Sequence, residues 1–506
     1  MKATKVIVGT LSCLCIGATA SMYQPTKVLA VENQVLISVP YVNTIFPAIF
    51  GVKGFKTDFE HDKVGAEKWA KEYYKKWNDS LPKEQVDSLK ELKDPSSEDY
   101  NINITLKFLG GDINNRPIDG KEITERYKKD IEAIDKALNN RAGKTSDKMY
   151  VYKDMEIYDF NKMFPEGIVD SSNSNKIDMN KLKDFKKNLS YGISSDYLIV
   201  KLAERTGGEE GTLKWRIEIP SGTKTGHLGE DQLVFERNTG LEITNIKVIN
   251  QQGKEYVRID AKLVAKDKID ARIKETEVSL NKSWNELFGL PPSTQFIQLR
   301  ASDRFASSVM EGVRSQINEM VSNVPNHLVR RIVDYMVEKN GKFIFTDNLI
   351  RNIPEAYFPQ EPTKETLNKY MNEVKGIFNN HNRDLIVRGY SEGSGVIHAD
   401  NVETLTHEFG HAFDYYLSHL FQLDQQGRAI SDYKKFQDIF AKEGNNLTEY
   451  GKTSSAEYFA ETFMMMHSNN PEIRAEVKQK APETFKYITD LIEGLKSIPY
   501  PPAVQK

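Results

Sequence analysis

Apolar positions in the first third of the chain recur at intervals of three and four residues, which is the pattern of amphipathic helices. The residues that mark the first of these helices are Ala66, Trp69, Ala70, Tyr73 and Trp77. Further helical patterns cover residues 83–92 and 120–141, and the polar, proline-containing segment 93–97 is predicted to be a linker between them.

After residue 148 the pattern changes to short runs rich in β-branched and aromatic residues, which predict strands. The predicted strands cover residues 149–155, 197–202, 213–219, 233–236, 243–249 and 256–263. Turn signals such as Pro220-Ser221-Gly222 separate them at hairpin-like distances, so the predicted sheet is mainly antiparallel.

Beyond residue 265 helical patterns dominate again. The predicted helices cover residues 304–322, 327–339, 363–378, 402–421, 433–442, 454–468 and 481–496, with short strands near 295–299, 342–346 and 385–389. A strand-rich unit followed by a helix-rich one is typical of an α+β fold class.

The composition is that of a soluble globular protein of more than one domain. Its 506 residues are 39% hydrophobic and 28% charged, which excludes collagen-like, low-complexity and mainly disordered chains. Lys and Arg number 69 against 72 Asp and Glu, giving a net charge of −3. This balance provides no broad basic surface for phosphate backbones, so no nucleic-acid partner is expected.

The first thirty residues have the pattern of a signal peptide. Lys2 and Lys5 precede an apolar run, and Ala30 ends a site at which cleavage is expected. The alternative is a lipid anchor on Cys13 or Cys15, which is disfavoured because neither cysteine follows a Leu-led triplet of small residues. Secretion is therefore predicted, and since both cysteines leave with the signal, the exported chain can form no disulfide.

After the signal peptide, no apolar stretch reaches the roughly 18 residues that a transmembrane helix needs. The apolar segment 35–55 contains Pro40 and Pro47, which would break a helix, so it is predicted to be an irregular arm. The predicted organisation is a signal peptide at 1–30, an arm and helices at 31–100, an α/β domain at 101–270, and a helix-dominated domain at 271–506.

The candidate chemistry lies in the helical pattern at 402–421, in the sequence His407-Glu408-Phe409-Gly410-His411. On a helix, histidines four residues apart share one face and can bind a single Zn²⁺ at about 2.0–2.1 Å, with the glutamate between them as general base. Two surface histidines beside a glutamate are the alternative, which the surrounding amphipathic pattern disfavours. A zincin-type peptidase with one Zn²⁺ per chain is therefore predicted.

A zinc peptidase needs a third protein ligand and an open position for water. The metzincin pattern would place Gly and His where this sequence has Asp414 and Leu417, so a downstream glutamate is expected instead. Glu457 and Glu461 share one face of a predicted helix, and Glu457 is predicted to be the ligand. Because Glu457 also completes a Ser-x-x-Glu capping box, a purely structural role is its alternative.

Two further carboxylates are candidates for orienting the zinc-binding imidazoles. Histidine ligands of zinc usually donate their second ring N–H to a carboxylate or a carbonyl. Glu461, one turn after Glu457, is predicted to accept such a bond, and Asp414 is a second candidate. A helix-surface charge is the alternative for either residue.

Beyond these motifs, long collinear runs of the sequence resemble the anthrax toxin lethal factor family. The resemblance extends from about Asn101 to the C-terminal helix. The matching runs cover residues 213–217, 237–243, 254–262, 407–412, 446–453 and 456–461. The resemblance implies a degenerate ADP-ribosyltransferase-like α/β domain followed by a helix-dominated zinc metalloprotease domain.

The resemblance also implies roles for individual residues. His407, His411 and Glu457 would bind the zinc ion, and Glu408 would accept a proton from the attacking water. Tyr450 would place its phenol at the metal and stabilise the oxyanion. Without the resemblance, Tyr450 is equally well explained as a packing aromatic at the edge of a loop.

The α/β domain is expected to have lost its transferase activity. Active ADP-ribosyltransferases carry an arginine on an early strand, an S-T-S segment and an E-x-E segment. The nearest positions here are Val151-Tyr152-Lys153, Ser190-Tyr191-Gly192 and Glu230-Asp231-Gln232. Substrate binding is the role expected of this domain, and structural support of the protease domain is the alternative.

The function that the resemblance implies is a secreted toxin component that cleaves an extended peptide segment, such as the N-terminal tails of mitogen-activated protein kinase kinases. The large domain by which lethal factor docks onto a pore-forming carrier protein is not matched, so dependence on such a carrier does not transfer. The alternatives are an extracellular peptidase of Pro-rich or other peptides and a non-catalytic binding or delivery component.

Overall fold

The structure of the chain is a computed structural model. The described residues are 57–95, 101–114, 121–154, 168–205, 213–357, 374–389, 399–423 and 427–499. Residues 54–506 form one compact unit. Within the described ranges, no helix combines the length and the apolar character that a membrane span requires. The predicted signal peptide and the predicted arm lie outside the described residues.

The first helices pack into the same core as the large sheet. They are α1 (Lys63–Tyr73), α2 (Lys75–Ser80), α3 (Lys83–Lys93), α4 (Ile102–Phe108) and α5 (Lys121–Leu138). Of the predicted apolar face, Ala66, Ala70 and Trp77 are fully buried in this core, and Trp69 and Tyr73 are partly buried against it. The indole N–H of Trp77 donates to the carbonyl of Ala137 over 3.0 Å, which joins the first helices to α5.

A strand-rich layer follows. Its elements are β1 (Met149–Asp154), β2 (Val169–Asp170), β3 (Asn173–Ile177), α6 (Met179–Asn188), β4 (Tyr191–Ser194), β5 (Leu198–Lys201), β6 (Leu213–Ile219), β7 (Thr225–Gly229), β8 (Gln232–Phe235), β9 (Thr239–Gln251) and β10 (Lys254–Ala265). Eight of these strands form one sheet in the order β4-β9-β10-β6-β1-β5-β8-β7. Only β10 and β6 pair in parallel, so the predicted antiparallel character is confirmed.

The remaining elements are mainly helical. They are α7 (Lys266–Phe288), β11 (Ile297–Arg300), α8 (Ala306–Met310), α9 (Val313–Asn323), α10 (Asn326–Glu338), β12 (Phe343–Thr346), β13 (Gly376–Asn379), β14 (Asp384–Arg388), α11 (Ala399–Leu420), α12 (Lys434–Glu443), α13 (Ser455–Met466), α14 (Pro471–Lys480) and α15 (Pro482–Leu495). A four-stranded sheet has the order β11-β12-β14-β13, and its edge strand β13 runs antiparallel to β14. The α+β fold class is therefore confirmed.

Two predictions for this region need correction, and the helices α7 and α14 were not predicted. The predicted helix at 363–378 ends inside β13; residues 374–375 before it are not helical, and residues 363–373 lie outside the described residues. The predicted helix at 304–322 is two helices, α8 and α9, with a break at Gly312. The sequence pattern missed α7 because polar residues such as Asn281 interrupt its buried face; the Asn281 amide bonds the backbone of Phe296 and Ile297 instead of facing water.

A buried ion pair joins the large sheet to the helical region. The guanidinium of Arg304 donates to both carboxylate oxygens of Asp196 over 2.6 and 2.7 Å, and the two side chains are 9% and 5% exposed. Beside it, a side chain at Gly192 would meet the backbone of Arg304, so only glycine permits this close approach. Burial opposes ionisation of Asp196, but the Arg304 charge outweighs it and lowers the pKa of Asp196 below its ordinary value.

Replacing Asp196 by Ala should lower the free energy of unfolding by roughly 3–5 kcal/mol, because the Arg304 charge would stay buried without the carboxylate that balances it. Chemical denaturation followed by circular dichroism measures this loss. Asp270→Ala is the control, since Asp270 belongs to a more exposed pair with Lys266 and its loss should cost less than about 0.5 kcal/mol. Equal stability of the two variants would contradict the structural role assigned to the buried pair.

Candidate metal centre

The two histidines of the H-E-x-x-H sequence are positioned by the buried face of α11. Leu405, Phe409 and Phe413 are fully buried and fix the rotation of this helix against the core. His407 and His411 therefore point together to the opposite side, where their Nε2 atoms lie 3.1 Å apart.

A second helix, α13, brings two carboxylates to the same point. Glu457 Oε2 lies 3.1 Å from His407 Nε2 and 3.3 Å from His411 Nε2. Glu461 Oε1, one turn later, lies 3.0 Å from His407 Nδ1. The hydroxyl of Ser454 accepts a bond from the Glu457 N–H over 3.1 Å and caps the helix, while the Glu457 carboxylate faces the imidazoles.

Gly410 allows the two helices to cross this closely. A Cβ atom at Gly410 would lie 3.1 Å from the Ala460 Cα and 3.2 Å from the Phe463 Cβ. A larger side chain would therefore separate α11 from α13 and move Glu457 away from the histidines. The glycine inside the H-E-x-x-H sequence thus has a packing role, which the histidine spacing alone does not reveal.

The donor atoms suit a small divalent cation. Four ligands arranged tetrahedrally at about 2.0–2.1 Å from Zn²⁺ lie about 3.3–3.4 Å from one another. The three separations among His407 Nε2, His411 Nε2 and Glu457 Oε2 are 3.1, 3.1 and 3.3 Å. Two neutral imidazoles and one carboxylate are also the donor types that zinc peptidases use.

The hydrogen bond to Glu461 strengthens this argument. If His407 Nδ1 donates to Glu461, neutral His407 presents the lone pair of Nε2 to the cluster. That lone pair would face the acceptor oxygen of Glu457, and two acceptors 3.1 Å apart repel unless a positive charge lies near both. A bound metal cation supplies such a charge, and so does a proton.

The negative charges of the carboxylates also favour a cation at this site. Burial opposes protonation of His407, but the carboxylates of Glu457 and Glu461 outweigh it and raise the pKa of His407 to about 10. Burial likewise opposes ionisation of Glu457, yet the two imidazoles hold the pKa of Glu457 well below its usual range. Without a metal, a proton on His407 would balance part of this negative charge.

Glu408 lies beside this cluster, at the edge of the four-stranded sheet. It is buried, and a Cβ atom at Gly376 in β13 would lie 2.7 Å from its Cγ and Oε1 atoms. The backbone N–H of Phe378 donates to its carboxylate. Burial raises the pKa of Glu408, although the nearby imidazoles oppose this shift.

Tyr450 lies on the open side of the cluster. Its ring centroid is 5.7 Å from that of His407, and the residue is 56% exposed. Its phenol interacts with the Glu457 carboxylate. Desolvation, followed by the negative charges of Glu457 and Glu408, raises the pKa of this phenol, so it keeps its proton and can donate a hydrogen bond.

Asp414 is fully buried, which excludes its alternative interpretation as a helix-surface charge. Its two oxygens accept bonds from the backbone N–H and the hydroxyl of Ser431, over 2.8 and 2.6 Å. Burial outweighs these bonds and raises the pKa of Asp414 to about 7. Its link to the cluster is electrostatic, through His411. An orienting role for Asp414 therefore stays a prediction, whereas its bonds anchor the loop after α11.

Sequence reasoning gave no role to Thr448, which the structure places next to the cluster. Its hydroxyl donates to Glu461 Oε2 over 2.7 Å. The only sequence signal for this residue is its position in the run 446–453, two residues before Tyr450.

The fold and the site together define an α+β protein with a candidate metal centre of two histidines and one glutamate, formed where two helices cross. Residues 96–264 match a family model described as the middle domain of anthrax toxin lethal factor, and residues 272–491 match the model described as its N- and C-terminal domain. The chain is 38% identical over 395 residues to the lethal factor of Bacillus anthracis. We conclude that the chain belongs to the lethal factor family.

The match to lethal factor covers 78% of this chain and 48% of lethal factor, so the chain spans about half the length of this curated relative. Among solved structures, the Plx2a ADP-ribosyltransferase toxin from Paenibacillus larvae is 26% identical, with a TM-score of 0.33, and covers 41% of this chain and 99% of its own. The ADP-ribosylating toxin BECa of C. perfringens is 19% identical, with a TM-score of 0.36, and covers 63% of this chain and 66% of its own.

Proposed function

We propose that the chain is a secreted zinc endopeptidase and a lethal-factor-like toxin component. The observation that carries this proposal is the triangle of His407 Nε2, His411 Nε2 and Glu457 Oε2, whose sides of 3.1 to 3.3 Å match the ligand spacing of one zinc ion. When bound there, zinc would lower the pKa of a coordinated water and polarise the carbonyl of a peptide. Export would depend on the predicted signal peptide at 1–30.

The chain's own residues would supply the remaining chemistry. Glu408 would take the proton of the attacking water and pass it to the leaving amine, a transfer that its raised pKa favours. Tyr450, with its phenol protonated, would donate a hydrogen bond to the oxygen of the tetrahedral intermediate. Glu461 would hold the His407 ring in the tautomer that leaves Nε2 free for the metal.

The edge strand β13 supports an extended peptide as the substrate. One side of β13 pairs with β14, and no other strand of the described residues pairs with it. A peptide could add to that free edge through backbone hydrogen bonds. Because Gly376 and Phe378 of this strand contact Glu408, such a peptide would pass directly beside the proposed base.

We propose that the region matched by the middle-domain model binds substrate and has no transferase activity. In the segment Val151-Tyr152-Lys153, nearest to the arginine of an active enzyme, Tyr152 donates to Asp58 over 2.6 Å. A tyrosine carries no positive charge, and desolvation together with the bond to Asp58 raises the pKa of Tyr152, so its phenol stays neutral. Hydrolysis of NAD by the purified chain would contradict this part of the proposal.

Replacing Tyr450 by Phe should lower kcat by roughly 10²–10³-fold, the usual effect of removing one donor to an oxyanion. Zinc content should be unchanged, because two imidazoles and the Glu457 carboxylate already supply three donor atoms and the phenol would act on the substrate oxygen. Steady-state cleavage of a fluorogenic peptide, together with metal analysis, measures both quantities. A variant with wild-type kcat would show that Tyr450 only packs at the loop edge.

The substrate class is tested by incubating the chain with a degenerate peptide library and with N-terminal tail peptides of mitogen-activated protein kinase kinases, followed by mass spectrometry. Cleavage of the tails supports an intracellular toxin component, with a pore-forming carrier as its proposed partner. Cuts confined to Pro-rich library members would indicate an extracellular peptidase. No cleavage by a zinc-loaded chain would favour a binding or delivery component instead.

A further inference from the structure

Thr448 does not belong to the metal cluster, but it contacts the residue that orients the cluster. Its hydroxyl donates to Glu461 Oε2 over 2.7 Å and accepts a bond from the Gly451 N–H over 2.9 Å. The other oxygen, Glu461 Oε1, lies 3.0 Å from His407 Nδ1. A continuous chain of hydrogen bonds therefore runs from the turn after Tyr450 to the His407 imidazole.

We propose that Thr448 is a positioning residue, which acts through Glu461 to fix the His407 ring and the turn that carries Tyr450 in one arrangement. This inference rests on the proposed zinc site. Glu461 has three rotatable side-chain bonds, and a donor on Oε2 leaves Oε1 as the acceptor for His407. Because Glu461 is only 8% exposed, water cannot readily replace the Thr448 hydroxyl.

The turn around Tyr450 connects this chain of hydrogen bonds to the position of the phenol. Thr448 anchors the start of the turn through Glu461, and Ser454 anchors its end by capping α13. Tyr450 lies between these anchors and is 56% exposed, so its own packing restrains it weakly. The turn also contacts Glu461 directly, since a Cβ atom at Gly451 would lie 3.6 Å from the Glu461 Cβ. The same carboxylate thus positions one proposed zinc ligand and the turn of the proposed oxyanion donor.

The test uses Thr448→Val, which keeps the shape of the side chain and removes its hydroxyl. Affinities for Zn²⁺ and Co²⁺ are measured by competition with a chelator. Both affinities should fall by roughly 10–100-fold, the usual loss when a residue hydrogen-bonded to a metal ligand is removed. Thr448→Ser should restore wild-type affinity, and the visible spectrum of the Co²⁺ form should change in the valine variant only.

Thr453→Val is the matched control. Thr453 lies in the same turn and donates to the Tyr450 carbonyl over 2.7 Å, so its loss perturbs the turn without touching Glu461. Its metal affinities should remain at the wild-type level. Thermal unfolding of each metal-free variant shows whether the fold is kept.

A double-mutant cycle with Glu461→Gln separates positioning from general destabilisation. If Thr448 acts through Glu461, Thr448→Val should weaken metal binding much less in the Glu461→Gln background. If the losses of metal affinity in the two single variants were fully additive in the double variant, this inference alone would be overturned. The same holds if the wild type binds metal tightly and Thr448→Val binds it equally well. A wild-type chain that binds neither metal would overturn the proposed zinc site and this inference together.

Discussion

Replacing Glu408 by Gln is expected to reduce peptide cleavage by about 10²–10⁴-fold, the scale for a removed general base. Glutamine has nearly the same shape and keeps an oxygen that can accept the Phe378 N–H, so the fold and the edge strand should be preserved. It cannot, however, accept a proton from water. Cleavage of a fluorogenic peptide, measured at matched zinc content, gives the effect.

Glu449→Gln is the control for this loss. Glu449 lies next to Tyr450 in sequence, and its side chain is 91% exposed, so this variant changes the net charge near the site by the same amount. Its activity should remain close to that of the wild type. Wild-type cleavage by Glu408→Gln would remove Glu408 from the mechanism while leaving the metal centre intact.

Replacing Glu457 by Ala is expected to weaken zinc binding by more than roughly 10–100-fold. That range is the usual loss of affinity when a residue hydrogen-bonded to a metal ligand is removed. The substitution removes one of the three donor atoms and leaves the two imidazole nitrogens 3.1 Å apart without the carboxylate between them. Cleavage should be lost together with the metal. Chelator competition, followed by activity measured at saturating zinc, separates the two effects.

Glu461→Gln gives the comparison for Glu457→Ala. Glu461 contacts His407 through Nδ1 rather than joining the three clustered atoms, so its replacement should cause the smaller loss of affinity. If the two variants lost zinc to the same degree, Glu457 would not be distinguished as a ligand. If Glu457→Ala kept full affinity, Glu457 would not be a zinc ligand.

Much of this site could be predicted because its parts depend on local spacing. The four-residue interval of His407 and His411, and the same interval of Glu457 and Glu461, each place two side chains on one helical face. The structure brings His407, His411 and Glu457 within about one hydrogen-bond length of one another, and Glu461 within the same distance of His407. Periodicity also predicted apolar residues of α1, α11 and α13 that are buried in the structure, such as Ala70, Phe409 and Phe459.

The missed features depend on contacts between distant segments. The sequence pattern predicts a helix over residues 363–378, which includes most of β13. Pairing with β14 holds β13 in an extended form instead. In α7, the buried polar residue Asn281 bonds the backbone of Phe296 and Ile297 as well as a carbonyl of its own helix, so the apolar stripe is incomplete in the sequence. Thr448 acts on a carboxylate of another element through one hydrogen bond, and such a bond has no sequence period.

The central claim is that His407, His411 and Glu457 bind one zinc ion. The most direct measurement is anomalous X-ray scattering at the zinc absorption edge from crystals of the chain grown with zinc. We expect a single peak at about 2.0–2.1 Å from the Nε2 atoms of both histidines and from a Glu457 carboxylate oxygen. A zinc-replete crystal without a peak at this position, or with its only peak bound by other residues, would contradict the claim.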